Sequence, residues 1–488
     1  MLFGLWMTPF CLRMLGQHEY GLWLVGLQVL TFLLLADFGI VAITPRDVAR
    51  LTGDGQEHGK SAELVQLVHK TSRIVRYQTL LVTAGAIVIF LYLPHKDVRG
   101  PITVALVAYC LSYPFRIYGA VLQGLQDLQY LGRVRIVLWA ISAAITVSFL
   151  IFGWRLYALA FGWGFNVFAQ EAAAFVRLRR LQPELARWGS SRHTGSLHWK
   201  DFTHGMWLSV GQLAQLLLNG SDVLSIARVL GASAVVGYNC TLKLATVFSN
   251  QPLLLAATAV PGLSQMKSNE PRERVFQVST SLGQAMLIFS GALFAVVFAV
   301  NRSFVSVWVG PQLFGGMSLT ALVLLNLLLR HLDLTLAQSL FAFGYEKPMA
   351  IKAVADGLVS AGAAFALVHW FGITGAATGV LLGVLLVSLP TNAVLFSREF
   401  GVPLARVFAP YVPYSWRVVL ACWAGYALDG YFHPKNYFAI FSTALATLAI
   451  YGALIVPYTL RTPLGAYAWS IVDRARDNLR VWKIRWSA

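Results

Sequence analysis

Polar side chains recur at helical spacing within one apolar stretch of this sequence. They stand at i, i+4, i+7 and i+11 and so share one helical face: Asn239, Lys243, Thr246 and Asn250. A lysine inside a membrane costs about 2.5–3.5 kcal/mol, which favours a water-filled cavity or a bound anion over lipid. A dry ion pair with a nearby acid is the alternative. Because amides accompany the lysine, the pattern favours the cavity.

Other apolar stretches carry cations in a similar setting. Arg116 follows two tyrosines, and Arg330 precedes Asp333 by three positions. One interpretation is that Arg330 and Asp333 neutralise each other across one helical turn. The other is that Arg330 joins Arg116 and Lys243 in holding an anionic substrate, whose sugars would suit the surrounding rings and amides. The predicted cavity residues are Lys243, Asn239, Asn250, Arg116, Arg330, Gln215 and Trp207.

Acidic residues within apolar runs form a second group. Asp37 is the only charged residue between positions 22 and 43. Two interpretations are open: it controls the cytoplasmic mouth by pairing with Arg46 or with the other half, or it takes up a coupling cation. Glu171 is interpreted as a rim residue that balances Arg177. The predicted gating or coupling residues are Asp37, Arg13, Asp222, Asp333 and Asp356.

Sequence motifs for metal, nucleotide or disulfide sites are absent. The four cysteines lie far apart and include no C-x-x-C pair. The chain also lacks the phosphate-binding pattern G-x-x-x-x-G-K-[ST]. We therefore predict no metal site and no cofactor, apart from an unassigned coupling Na⁺ or H⁺.

The elements that must position these groups follow from composition. The chain is 57% hydrophobic and 12% charged, against roughly 25% charged in soluble domains, which excludes an ordinary soluble protein. Its apolar runs do not alternate as barrel strands do, so we predict an all-α polytopic membrane protein. Fourteen spans are predicted, near residues 1–12, 20–43, 74–94, 101–123, 134–153, 155–177, 203–226, 234–261, 279–300, 316–343, 348–370, 373–396, 414–430 and 436–458.

Loop charges orient these spans. The first span is short, about 18 Å of helix against a core of about 30 Å, so this helix looks truncated: either the chain starts further upstream or packing completes the short helix. With its amino end in the cytoplasm, the inner loops carry 28 Lys and Arg and the outer loops 7. The positive-inside rule is satisfied, and both termini are predicted to be cytoplasmic. The net charge of +17 then reflects loops near anionic lipid, without nucleic acid.

Two segments of the chain echo each other. The motif Arg-x-Leu-Gly occurs at 13–16 and 228–231, and each copy is followed by a glycine and, 24 residues after it, by Pro45 or Pro261. Chance is one explanation, but the equal interval favours duplication. Six spans separate the copies, so the halves would be parallel repeats with a substrate site between them. The predicted domains are lobes at 1–180 and 203–400, a basic linker at 181–202, two further helices at 401–460 and a basic tail at 461–488.

Several of these segments resemble a known family. The patterns TPxxxRxLGxxxYGLW at 8–23, LxDxG at 35–39 and GxxLQGLQ at 119–126 resemble the first half of polysaccharide-exporter and O-antigen (Wzx-type) flippases. These belong to the multidrug/oligosaccharidyl-lipid/polysaccharide (MOP) superfamily. The stretch from Ser221-Asp222 to Tyr238, followed by PxLS at 261–264, is similar to the start of their second half.

The resemblance implies a two-lobed protein of the bacterial inner membrane with fourteen helices. It implies a flippase that moves an undecaprenyl-diphosphate-linked glycan to the outer leaflet by alternating access, for polysaccharide or O-antigen export. The family's cavity is lined mainly by helices one, two, seven and eight, which agrees with the positions of Lys243 and Asp222. We expect a monomer whose partners are the lipid-linked glycan, membrane lipids and polysaccharide polymerase or export proteins.

Three other functions are open. A drug or metabolite antiporter of the MATE type would favour an acidic cavity, and the cations argue against it. A membrane glycosyltransferase or polymerase would need a sizeable loop with acid–base residues, and the predicted external loops are short. A non-transporting assembly scaffold would not explain charges inside the membrane. We therefore predict a transporter rather than an enzyme.

Overall fold

The computed structural model of the chain describes residues 2–33, 37, 39–52, 59–92, 96–185, 199–462 and 464–465. Every regular element in these ranges is helical, which confirms the all-α prediction. The α-helices are α1 (Leu2–Phe32), α2 (Ile40–Thr52), α3 (Gly59–Tyr92), α4 (Lys96–Ser112), α5 (Arg116–Gly124), α6 (Leu128–Ile151), α7 (Leu156–Leu181), α8 (Trp199–Leu230), α9 (Ala232–Asn269), α10 (Arg272–Trp308), α11 (Met317–Ala342), α12 (Glu346–Phe371), α13 (Ile373–Gly383), α14 (Leu389–Phe400), α15 (Leu404–Phe408), α16 (Val412–Phe432) and α17 (Tyr437–Thr459).

Eight helical segments in the described ranges are long and apolar enough to cross a membrane. The chain is thus a multi-pass membrane protein. The predicted number of fourteen spans stays a prediction. The eight segments are Ala62–Tyr92, Val98–Gly124, Leu128–Ile151, Arg272–Trp308, Met317–Phe341, Lys347–Phe371, Ile373–Phe400 and Tyr437–Thr459.

The helices form two compact units. The N-terminal unit is Trp6–Val236, and the C-terminal unit comprises the described residues of Gly237–Ala488 with the first few residues of α1. The boundary between the units falls within α9, whereas the predicted linker occupies 181–202. The predicted domain boundaries stay a prediction.

Breaks in the apolar helices shape the N-terminal unit. Gly16, at φ 78° and ψ 170°, interrupts α1 between the first two predicted spans. The second predicted span, 20–43, is not one continuous helix, because α1 ends at Phe32 and α2 begins at Ile40. The fourth is interrupted as well, by a single 3₁₀ turn at Tyr113–Phe115 between α4 and α5. The prediction of continuous helices is wrong at both places.

Close packing fixes α2 and α5 beside these breaks. A Cβ atom on Gly124 would lie 2.5 Å from Val48 Cβ and 2.8 Å from the carbonyl oxygen of Pro45. Only glycine therefore permits this approach. The hairpin of α6 and α7 is joined by a hydrogen bond of 2.7 Å, in which Ser142 Oγ donates to the carbonyl of Gly162.

The C-terminal unit is organised around α10. This helix packs against α11 on one side and against the pair α16 and α17 on another. Tyr451 of α17 donates its hydroxyl to the carbonyl of Ile288 at 2.6 Å. A π-helical turn, Val384–Ser388, joins α13 to α14. The buried cluster between α10, α16 and α17 is Leu287, Ala295, Tyr411, Tyr414, Val418, Ala421, Tyr451 and Ile455.

Candidate transport site

A cavity of about 340 Å³ lies inside the N-terminal unit, beside both helix breaks. Gln123 and Arg135 in its lining are exposed, so the cavity opens beside the loop from α5 to α6, which is predicted to be cytoplasmic. Two predicted site residues from different spans, Asp37 and Arg116, thus line one cavity. Its polar lining is Asp37, Arg116, Gln123, Arg135, Gln170 and Glu171.

Asp37 lies immediately before α2 and is 3% exposed. Its Oδ1 atom accepts a hydrogen bond of 3.2 Å from the backbone N–H of Val41, and its carbonyl accepts one of 2.8 Å from Gln78 Nε2. A carboxylate at a helix amino end satisfies a free N–H group and is favoured by the helix dipole. The charge in the apolar run therefore caps a helix that begins inside the predicted span. Arg46 was predicted as a gating partner of Asp37, and its Nε atom lies 4.0 Å from Oδ1 of the neighbouring Asp47.

Arg116 begins α5, directly after the 3₁₀ turn. Its guanidinium lies over the ring of Tyr113, 5.3 Å from the ring centroid. Within the described ranges, its Nη1 atom and the hydroxyls of Tyr109 and Tyr113 are buried without hydrogen-bond partners. An unpaired buried donor costs about 1–3 kcal/mol, so each one calls for an explanation such as a bound water, ion or ligand. Arg116 therefore offers a donor that an anion or water can use.

Glu171 of α7 is the second carboxylate in this cavity. A Cβ on Gly119 would lie 3.5 Å from Glu171 Oε2, so the carboxylate faces α5 one turn after Arg116. The interpretation of Glu171 as a balance for Arg177 is wrong. Arg177 Nε instead donates to Asp127 Oδ2 at 2.8 Å and holds α7 to the start of α6. Glu171 was detectable, because it is the only charged residue from position 156 to 176.

The C-terminal unit pairs its buried charges differently from the sequence interpretation. Arg330 Nη1 of α11 donates to Asp356 Oδ2 of α12 at 2.9 Å. Lys352 Nζ of α12 lies 3.1 Å from Asp333 Oδ2 of α11. Arg330 therefore pairs with Asp356 and not, as one interpretation of the sequence had it, with Asp333. Two ion pairs, Arg330 with Asp356 and Lys352 with Asp333, thus join α11 to α12.

Both carboxylates of these pairs have further donors. Asp356, 1% exposed, accepts hydrogen bonds from Ser360 Oγ at 3.0 Å and from Ser388 Oγ at 2.5 Å. Ser388 belongs to the π-helical turn, which presents its hydroxyl to α12. Asp333 accepts one from Asn392 Nδ2 at 2.7 Å. Carboxylates with an ion-pair partner and additional hydrogen-bond donors are typical of buried charges with a structural role. The predicted gating roles of Asp333 and Asp356 and the substrate role of Arg330 stay predictions.

Lys243 lies on α9 and is half-buried. Its ammonium group has no ion pair and no hydrogen bond within the described part of the chain. It shares its helical face with Asn239, which is also half-buried. The dry ion pair considered as the alternative is therefore not formed there.

The remaining predicted residues do not line the cavity described above, or their side chains are not described. Asp222 of α8 is half-buried, and its Oδ1 accepts from the N–H of Val223 at 2.7 Å. Arg13 of α1 is exposed. The side chains of three predicted cavity residues lie outside the described part: Trp207, Gln215 and Asn250. Their roles stay predictions.

A family model described as "Polysaccharide biosynthesis protein" matches residues 1–267, more than half of the chain. The chain belongs to this family. No curated protein matches this chain in sequence.

Solved structures share the fold. The chain is similar to the lipid II flippase MurJ in its inward closed conformation, at 12% identity and a TM-score of 0.68, over 94% of this chain and 97% of that one. It is also similar to a multidrug resistance MATE family transporter of the MOP superfamily. The inward-facing structure shares 13% identity at a TM-score of 0.58, over 83% of this chain and 94% of that one. The outward-facing structure shares 13% identity at a TM-score of 0.53, over 81% of this chain and 91% of that one. The family match confirms the predicted relation to polysaccharide biosynthesis proteins, and the fold is the one found in these solved transporters.

Proposed function

We propose that the chain is a flippase that moves a lipid-diphosphate-linked glycan from the cytoplasmic to the outer leaflet of a bacterial inner membrane. The observation that carries this proposal is the combination of a polysaccharide biosynthesis family with a transporter fold. In glycan synthesis, a protein with a transporter fold is suited to moving a membrane-anchored intermediate across the membrane. The related fold of a lipid II flippase supports the same class of substrate.

Lys243 supplies the charge for such a substrate. A diphosphate carries negative charge into the membrane, and a cation without a protein partner can compensate it. Lys243 meets this condition within the described part of the chain, whereas Arg330 is already paired with Asp356. We expect alternating access, in which the head group enters an aqueous chamber while the lipid tail stays in the bilayer.

The N-terminal cavity would couple this movement to a cation or proton. The backbone N–H of Val41 donates to the carboxylate of Asp37, whereas Glu171 accepts no hydrogen bond from any described residue. Glu171 is therefore the carboxylate that can exchange a proton or Na⁺ with least rearrangement. Arg116 faces the same cavity and would respond to that change in charge.

Replacement of Lys243 tests the proposal. In a strain whose own copy of this gene is deleted, Lys243→Ala should abolish surface polysaccharide while its membrane abundance stays normal. Lys243→Arg should retain part of the activity because the charge is kept. The matched control is Lys347→Ala, an exposed lysine at the start of α12. Full complementation by Lys243→Ala would remove this lysine from the substrate site.

The MATE-type antiporter is the nearest alternative, since its fold is shared. The carboxylates of Asp37 and Glu171 would suit a cationic drug, but Arg116 and Arg135 line the same cavity and balance them. A direct comparison separates the two functions. Proteoliposomes containing the chain should flip a fluorescent polyprenyl-diphosphate glycan, and the deletion strain should show no increase in sensitivity to cationic drugs. The reverse result would establish the antiporter.

A further inference from the structure

A second polar cavity, of about 510 Å³, lies in the C-terminal unit. The carboxyl end of α10, the carboxyl end of α16 and the loop before α17 form its walls. None of its residues belongs to the transport site proposed above. The charged, histidine and serine residues of its lining are Arg302, Ser303, Ser306, Asp429, His433 and Lys435.

The exposed charge of this cavity is positive. Arg302 and Lys435 are exposed, and neither side chain has an ion pair or a hydrogen bond within the described ranges. His433 is exposed beside them. Asp429 is the acid in the lining, but it is 5% exposed and its Oδ1 accepts a hydrogen bond of 2.6 Å from Ser303 Oγ. The available groups are therefore cationic donors.

These cations are unexpected on this face. The loops predicted to be external contain 7 of the 38 Lys and Arg residues, as the positive-inside rule requires. Two of the seven, Arg302 and Lys435, come from loops more than 130 residues apart and meet in one cavity. Bringing scarce cations together raises their mutual repulsion, which a bound anion relieves.

Aromatic residues place the cavity at the depth of lipid head groups. Around the turn from α16 to α17, Tyr431 is 80% exposed, Phe432 62% and Phe438 81%. An exposed tyrosine at the end of a membrane helix is typical of the membrane–water interface, where its hydroxyl meets water and its ring meets lipid. His433 ends α16 in the left-handed region at φ 44°, so the chain turns back at this level. The cavity thus lies where lipid phosphates lie.

We propose that this cavity binds the phosphate of an anionic glycerophospholipid in the outer leaflet. Arg302 and Lys435 contact the phosphate oxygens, and an imidazole N–H of His433 adds a third donor. The hydroxyl of Ser306 already donates to the carbonyl of Arg302 at 2.7 Å and so stiffens the end of α10. The acyl chains lie against the exposed aromatic surface. The site is independent of the glycan and would hold whether or not the chain is a flippase.

Lipid titration of the purified full-length protein tests this site. Native mass spectrometry in detergent would compare phosphatidylglycerol, phosphatidylcholine and inorganic phosphate as probes. The double variant Arg302→Gln/Lys435→Gln should weaken phosphatidylglycerol binding roughly fivefold per lost charge, or about 25-fold in all. The control Arg99→Gln/Arg228→Gln removes the same charge from exposed positions on the same predicted face and should leave binding unchanged.

A charge-neutral replacement of the acid gives an opposite expectation. Asp429→Asn keeps an acceptor for Ser303 and should tighten phosphatidylglycerol binding several-fold, because it removes the negative charge from the lining. If Asp429→Asn weakened binding, the cavity would be a cation site. Unchanged binding in the double variant, or equal binding of phosphatidylcholine, would refute the proposal. Equally tight binding of inorganic phosphate would assign the cavity to a soluble anion instead of a lipid.

Discussion

The ion pair between Arg330 and Asp356 can be tested as a structural element by removing one charge. Asp356 is 1% exposed and accepts from Arg330, Ser360 and Ser388. Removing one partner of a buried pair typically costs about 3–5 kcal/mol, because the other charge is left uncompensated. We expect Asp356→Ala to lose stability in that range. Ser388→Ala removes one hydrogen bond to a charged group and should lose about 1.5–3 kcal/mol.

Removing both charges should be milder than removing one. In Arg330→Met/Asp356→Leu no charge is left unpaired, and the main loss is the acceptor for two serine hydroxyls, which costs roughly 1–3 kcal/mol for each hydroxyl that finds no other acceptor. The free energy of unfolding in mixed SDS micelles, followed by tryptophan fluorescence, would rank these variants. A double variant as unstable as Asp356→Ala would refute the reasoning. So would an Asp356→Ala protein of normal stability that has lost transport, because the carboxylate would then serve gating.

Two further changes probe the N-terminal unit. Gly124→Val should lower the melting temperature, with a cost of about 1–3 kcal/mol, because any side chain meets Val48 and the carbonyl of Pro45. A normal melting temperature would show that α2 and α5 can separate freely. Asp37→Ala should lower the free energy of unfolding by about 1 kcal/mol, because it removes the side-chain oxygen that caps the N–H of Val41. Asp37→Asn should keep this cap and the stability. An Asn variant that is stable but exports no polysaccharide would assign the negative charge itself to transport, and equal stability of the Ala variant would contradict the capping role.

The membrane class and the helical fold were predictable because the bilayer restricts the choice. Backbone groups in lipid must bond internally, so long apolar runs without alternation have to be helices. The breaks around Asp37 and before Arg116 were not predicted, because hydropathy measures side-chain polarity and not backbone continuity. The signal at the first break was nevertheless present. An acid two residues before Gly39, within an apolar run, is a suitable sequence for a helix to end and another to be capped.

Pairing among buried charges could not be read from sequence spacing. Arg330 and Asp333 are one turn apart on α11, yet each binds a residue of α12, because α12 packs alongside and supplies Asp356 and Lys352 at the right heights. Local spacing shows which groups can meet on one helix, and tertiary packing decides which do. Glu171 shows the same limit. Its neighbour Arg177 in sequence is bound to Asp127 in space.

Of the 38 Lys and Arg residues, 35 belong to the predicted loop segments and three to the interiors of predicted spans, and the structure places each of these three in a different setting. Arg330 is neutralised by Asp356, so its charge contributes nothing to a substrate without breaking that pair. Arg116 shares a small cavity with carboxylates and is stacked on Tyr113. Lys243 alone among the three has neither an acid nor an aromatic partner within the described ranges. Since a membrane-embedded ammonium must be compensated by water or an anion, we propose that Lys243 compensates the charge of the lipid-diphosphate substrate.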